Sequence, residues 1–193
     1  MKKALFFFCL LISSTGFSQD LIRNVVKTNP FGFFVSQYQV GYEMAITDNF
    51  SAQLQVGILS GSGTVSLYDS TGTSTVVANY NKTGIIIIPE LRYYPASNGC
   101  EGFYLGLSGR YRKASNTIND DPLYDRKATG GAITVGVQSL RGNGVIVDFF
   151  IGPQLKAVTN EWFNDNAEED ELGFFDDTNG LGVRLGISVG YGF

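Results

Sequence analysis

The chain has 193 residues, with 24 glycines, 14 Lys and Arg against 18 Asp and Glu, and no histidine. The length fits one domain and the acidic balance argues against a nucleic-acid partner. The lack of histidine removes the commonest general base and metal ligand of neutral-pH chemistry.

Residues 1–18 are expected to form a signal peptide. MKK supplies the positive start, ALFFFCLLIS the apolar segment, and Gly16-Phe17-Ser18 the small residues before a cut ahead of Gln19. The apolar run is shorter than the roughly 18–20 residues a spanning helix needs. The domain is then 19–193, and without Lys2 and Lys3 its net charge is about −6. Only Cys100 remains, so no intramolecular disulfide is possible and cysteine offers no metal cluster.

From residue 24 onward the chain is expected to be β structure. NVVKTNPFGFF (24–34) reads as a first strand with weak alternation and uncertain register. Tyr38, Val40, Tyr42 and Met44 then oppose Gln37, Gln39 and Glu43, and Phe50 to Ile58 alternate with Ser51, Gln53, Gln55 and Gly57. In GIIIIPELRYYP, Ile85, Ile87, Leu91 and Tyr93 oppose Glu90 and Arg92. In GFYLGLSGRYR, Phe103, Leu105, Leu107 and Tyr111 oppose Ser108, Arg110 and Arg112. Ile133 to Val137, Val145 to Ile151 and Leu181 to Phe193 complete a set of eight. Short turns at 47–49, 97–100 and 141–144 alternate with long polar loops expected near 60–80, 114–128 and 158–179. Pro89 and Pro153 fall mid-strand, where each removes a ladder donor, so a local bulge is expected at both.

Period two suits a soluble barrel or a membrane barrel; which face meets lipid separates them. The apolar rows carry no charge, and the opposite rows are mostly Gly, Ser, Thr and Gln. Phe50, Tyr93, Phe103, Tyr191 and Phe193 gather beside the short turns, as an aromatic girdle would. The expected fold is an all-β, eight-stranded, antiparallel, up-and-down transmembrane barrel in the outer membrane. The short turns would be periplasmic, the long loops outside.

With its closing LGISVGYGF, signal peptide and turn asymmetry, the chain resembles the small eight-stranded outer-membrane β-barrel proteins of Gram-negative bacteria, the OmpA/OmpX-like class. The resemblance covers essentially all of 19–193. It implies outer-membrane lipid as surroundings, and the barrel-assembly machinery as a partner reading Tyr191 and Phe193 during insertion. It also brings in enzymatic barrels: lipid A deacylases and palmitoyltransferases, phospholipases and omptin-type proteases. Those families generally use a catalytic histidine, which this chain lacks, and Ser108 in SGRYR has no evident base. The expectation is therefore a non-enzymatic barrel without cofactor, acting structurally or through its extracellular loops on an unidentified partner. The alternatives are a soluble secreted or periplasmic barrel that binds an apolar ligand, and a narrow gated pore.

The inner row carries the candidate site. Glu43, Glu90, Arg92, Arg110, Arg112, Asp148, Lys156 and Arg184 all fall on it. Buried charges should pair, so a lumen plug is expected; in the pore alternative Arg110 or Arg184 exchanges between Glu90 and Asp148. The last long loop holds Glu161, Asp165, Glu168, Glu169, Asp170, Glu171, Asp176 and Asp177, flanked by Trp162, Phe163, Phe174 and Phe175. Oxygen-rich acids suit Ca²⁺ or Mg²⁺, but the spacing departs from a calcium loop, so a solvated acidic segment is expected and no metal. Cys100 is left open as a free thiol, an intermolecular link or a plain turn residue.

Overall fold

The computed structural model describes residues 22–68, 75–96, 99–163 and 179–193. The signal-peptide reading lies outside these residues. Eight strands, β1 (Asn24–Thr28), β2 (Gln37–Ala45), β3 (Phe50–Tyr68), β4 (Thr75–Tyr93), β5 (Gly102–Ile118), β6 (Asp121–Arg141), β7 (Val145–Trp162) and β8 (Gly180–Gly192), form a closed barrel. Every neighbouring pair is antiparallel, and β1 pairs with β8 to close the wall. Closure is completed at the chain end, where Phe193 and Asn24 exchange backbone hydrogen bonds of 2.9 and 3.0 Å.

Ladder partners followed from Val25 run through Glu43, Gln53, Glu90, Ser108, Ala132 and Gln154 to Gly182. Val25 itself pairs with Gly192, so one circuit shifts the register by ten residues. Such a stagger tilts the strands by roughly 40°. One end of the barrel carries the short turns and the chain end; the other carries the hairpins.

Four expectations are corrected. The first strand stops at Thr28, and residues Pro30–Val35 form a 3-10 helix. Asn29 caps it by accepting from the Phe31 N–H, Pro30 supplies a preset φ, and Ser36 at φ 56° ends it in the left-handed region. As a result β1 covers β8 only from Val189 to Gly192. The 3-10 helix stands beside this seam with Phe31, Phe33 and Phe34 exposed.

The polar stretches 60–80 and 114–128 are mostly strand and not long loops. β3 and β4 pair from Phe50–Tyr93 to Tyr68–Thr75, and β5 and β6 are joined by Asn119 and Asp120 alone. Both have positive φ, 50° and 71°, the geometry of a two-residue type I′ hairpin loop that Asn and Asp tolerate. Polar side chains suit strands that leave the apolar band, because the ladder satisfies their backbone wherever they stand. β7 likewise runs to Trp162; of the last loop, residues 164–178 lie outside the described set.

Neither proline makes a bulge. The β4–β5 ladder breaks at Ile88 and Pro89, and the β6–β7 ladder at Gly152 and Pro153, and in each the same register resumes beyond the gap. A missing N–H leaves pairs unmade without demanding an extra residue. The register shift in the described β5–β6 ladder is at Asn116/Thr117.

The apolar rows point out. Leu107, Ile133, Leu155, Leu181 and Leu185 are 61–78% exposed, while Glu43, Arg92 and Asp148 are buried inside. Phe50 and Tyr93 stack on the outer face near the short turns, centroids 5.0 Å apart. A small apolar cluster of Val25, Cys100 and Ile146 closes the turn end of the lumen.

Candidate functional site

The inward row of a strand repeats every second residue, so neighbouring strands in register bring their inner side chains to one level. In the turn-end half of the lumen this gathers Lys27 of β1, Glu43 of β2, Ser51 of β3, Glu90 and Arg92 of β4, Tyr104 of β5, Gln138 of β6 and Asp148 of β7, with Tyr94 just past β4.

Lys27 Nζ donates to Glu43 Oε2 at 2.6 Å, to Gln138 Oε1 at 2.5 Å and to Asp148 Oδ2 at 3.2 Å. Arg92 Nη1 reaches Asp148 Oδ2 at 2.9 Å and Glu43 Oε2 at 3.3 Å, and its Nε holds Glu90 Oε1 at 2.7 Å. Ser51 and Tyr94 donate to Glu43 Oε1 at 2.5 and 2.8 Å, and Tyr104 donates to Asp148 Oδ1 at 2.8 Å. Arg184 Nη1 lies 3.1 Å from Glu90 Oε2 and also donates to Ser108 Oγ. All six oxygens of the three carboxylates therefore accept from a donor or pair with a cation. The acids Glu43, Glu90 and Asp148 are matched by Lys27, Arg92 and Arg184, so the cluster is neutral.

Two rings complete the packing. Tyr104 lies under the Arg92 guanidinium, 4.1 Å to the centroid, and Phe150 under Arg184 at 4.9 Å. A Cβ on Gly136 would overlap the Tyr104 ring, so glycine there lets the ring lie flat across β6. With every carboxylate oxygen engaged, such a network restrains its members; Arg92 Nη2 is the buried donor in it that has no hydrogen-bond partner among the described residues.

The structure brings together five of the eight charged residues expected from the sequence: Glu43, Glu90, Arg92, Asp148 and Arg184. Arg110, Arg112 and Lys156 are on the inner row but belong to the hairpin-end half. Lys27, Tyr94 and Tyr104 were missed. Lys27 sits in the weakly alternating first strand, where parity with Val25 was its one signal. The tyrosines adjoin outward Tyr93 and Phe103, and only the two-residue count separates the faces. Tyr191 and Phe193 are exposed on the outer face at the turn end.

Ser108 Oγ accepts from Arg184 and donates to the Ala132 carbonyl at 3.4 Å, and neither of these two partners can take its proton. Among the described residues, no group of three or more Cys, Asp or Glu side chains forms a metal cage. Glu161 ends on Lys127 at 3.3 Å on the outer face; Asp165, Glu168, Glu169, Asp170, Glu171, Asp176, Asp177, Phe174 and Phe175 lie outside the described residues. Cys100 is a buried free thiol, which disfavours an intermolecular link, and burial pushes it up to about 12, helped by the Glu43 carboxylate.

No family model and no curated protein matches the chain. Among solved structures it is similar to the crystal structure of Acinetobacter baumannii CarO, with a TM-score of 0.43 and 10% identity over 92% of this chain and 100% of that one. A likeness of that degree carries no argument about function.

Proposed function

We propose that the chain is a non-catalytic outer-membrane barrel: an outer belt anchors it in lipid, the charge cluster plugs its lumen, and the hairpin end offers a surface for interaction. The observation that carries this reading is the uncharged exposed band. From Val145 to Leu155 the outward residues of β7 are apolar or proline, and the same holds from Phe103 to Tyr111 on β5, with Gly109 included. Ten residue steps at about 3.3 Å, tilted by about 40°, give a height of roughly 25 Å, that of a membrane barrel's apolar belt.

Charge returns at both borders of the band. Lys113–Asp125 and Lys127–Glu161 pair on the hairpin side, and Arg23–Asp48 pairs beside the turns. A soluble barrel holding an apolar ligand needs the opposite arrangement, an apolar interior, whereas this interior holds the ions. The test is fractionation of expressing cells with gel mobility before and after heating. Outer-membrane recovery with heat-modifiable migration is expected; recovery in the soluble periplasmic fraction would overturn the reading.

A further inference from the structure

Beyond the apolar belt the outer row of the β3–β4 hairpin changes character. Outward Ile58 and Ile85 face each other across the ladder, and the same row continues through Ser60–Thr83 to Ser62–Asn81 and Thr64–Asn79. Side chains two apart on a strand share a face roughly 7 Å apart, and direct cross-strand partners lie about 5 Å apart. Two hydroxyls and two amides therefore form a compact polar patch on one face. It starts roughly 10 Å above Ile58, for four residue steps on a strand tilted by about 40°.

The turn between β5 and β6 walls this patch. The β4–β5 ladder ends at Tyr80–Ile118, and one step further the two hairpins are still joined. The Asn119 N–H donates to the Asn79 carbonyl at 2.8 Å, and the Asn79 N–H donates to Asn119 Oδ1 at 2.9 Å. Between the hairpins a cavity of about 430 Å³, the size of a small-ligand site, is lined by Ser62, Thr64, Asn79, Asn81, Asn119 and Asp120. Among the described residues, the side chains of Ser62, Thr64, Asn79, Asn81 and Asp120 form no hydrogen bond with the chain. The walls are thus tied together while most of the lining groups stay available.

The lining selects the class of ligand. No described lining residue is cationic, which disfavours a phosphate or carboxylate, and none has an apolar side chain to hold a hydrocarbon. Hydroxyls and side-chain amides both donate and accept, whereas the Asp120 carboxylate only accepts. Their complement is a neutral compound whose polar groups can each take either role, as the hydroxyls of a sugar do.

We propose that the cleft between the β3–β4 hairpin and the β5–β6 turn binds a neutral hexose unit, with Asn81 and Asp120 as its principal contacts. The inference rests on the reading of the hairpin end as an interaction surface and names what that surface takes. Fractionation decides the membrane reading and the titration below decides the cleft, so either can fail alone.

The test is saturation-transfer NMR of the full chain, folded in phosphocholine micelles, titrated with the methyl glycosides of glucose, galactose and mannose. Transfer to at least one glycoside, at millimolar affinity, is expected. Asn81→Ala and Asp120→Gly should each weaken binding about tenfold, and Lys127→Gln on the outer face of β6 should leave it unchanged. Residue 120 has φ 71°, which glycine adopts freely, and heat-modifiable mobility shows that each variant is folded. The sugar can come from a free glycan or from a glycolipid headgroup. Native mass spectrometry in phosphatidylcholine nanodiscs that contain monogalactosyl diacylglycerol reads the second source. Transfer to a free glycoside assigns the first, and retention of the glycolipid alone assigns the second. Neither signal in the wild type overturns the proposal, as does a signal that either cleft variant leaves undiminished.

Discussion

Lys27 and Glu43 form an ion pair of 2.6 Å across the β1–β2 ladder, and both side chains are withdrawn from solvent. Lys27 also touches Asp148, so the shortest strand of the barrel supplies one of the two cations, with Arg92, that tie β2 to β7. Replacing Lys27 with Met leaves two buried carboxylates sharing Arg92. A loss of about 3–5 kcal/mol in unfolding free energy is expected, the scale for breaking a buried pair. Adding Glu43→Gln should recover part of it. Urea unfolding in micelles, followed by Trp162 fluorescence, measures both; an unchanged midpoint for Lys27→Met would show that the cluster is not what holds the lumen closed.

The six engaged carboxylate oxygens favour a plug over a gate. Arg184 is paired with Glu90, while Asp148 is held by Lys27 and Arg92, so exchange of Arg184 to Asp148 would require displacing two cations. In planar bilayers neither the wild type nor Arg184→Ala is expected to give discrete channel events. Stepwise conductance in the wild type would restore the narrow-pore alternative.

Cys100 gives a pH signature. Burial raises its thiol from the ordinary 9.0 to about 12, with the Glu43 carboxylate adding to the effect. The folded chain therefore keeps this proton where the unfolded chain has released it. Stability from this group is complete below about pH 9 and falls as the pH climbs towards 12. Maleimide labelling at pH 8 should be slow in the folded barrel and fast in urea, and Cys100→Ala should flatten stability between pH 9 and pH 11. Rapid labelling of the folded protein would contradict the burial.

Phe193 closes the wall through backbone bonds to Asn24, while its ring is half exposed on the outer face. Deleting it removes one bonded pair out of a long closed ladder, a modest loss of about 1–3 kcal/mol. If the ring is read during assembly, outer-membrane levels in cells should fall far more than the urea midpoint of the refolded variant. Normal cellular levels would count against an assembly role for Tyr191 and Phe193.

The sequence by itself determined the strand count, the alternation and the charge of each face, because these depend on a two-residue period that is local. Glu43, Glu90, Arg92, Asp148 and Arg184 were legible as inward charges for that reason. Position along the barrel was not legible. Whether Arg110 joins Glu90 or stands with Lys156 depends on the ten-residue stagger, a property of closure that no strand carries alone. The same holds for Lys27 and Asp148, 121 residues apart, which meet only when β1 and β7 are both set against β8. Segments 60–80 and 114–128 were misread as loops because polar composition resembles loop composition; only pairing with a partner strand distinguishes the two, and that is decided in three dimensions.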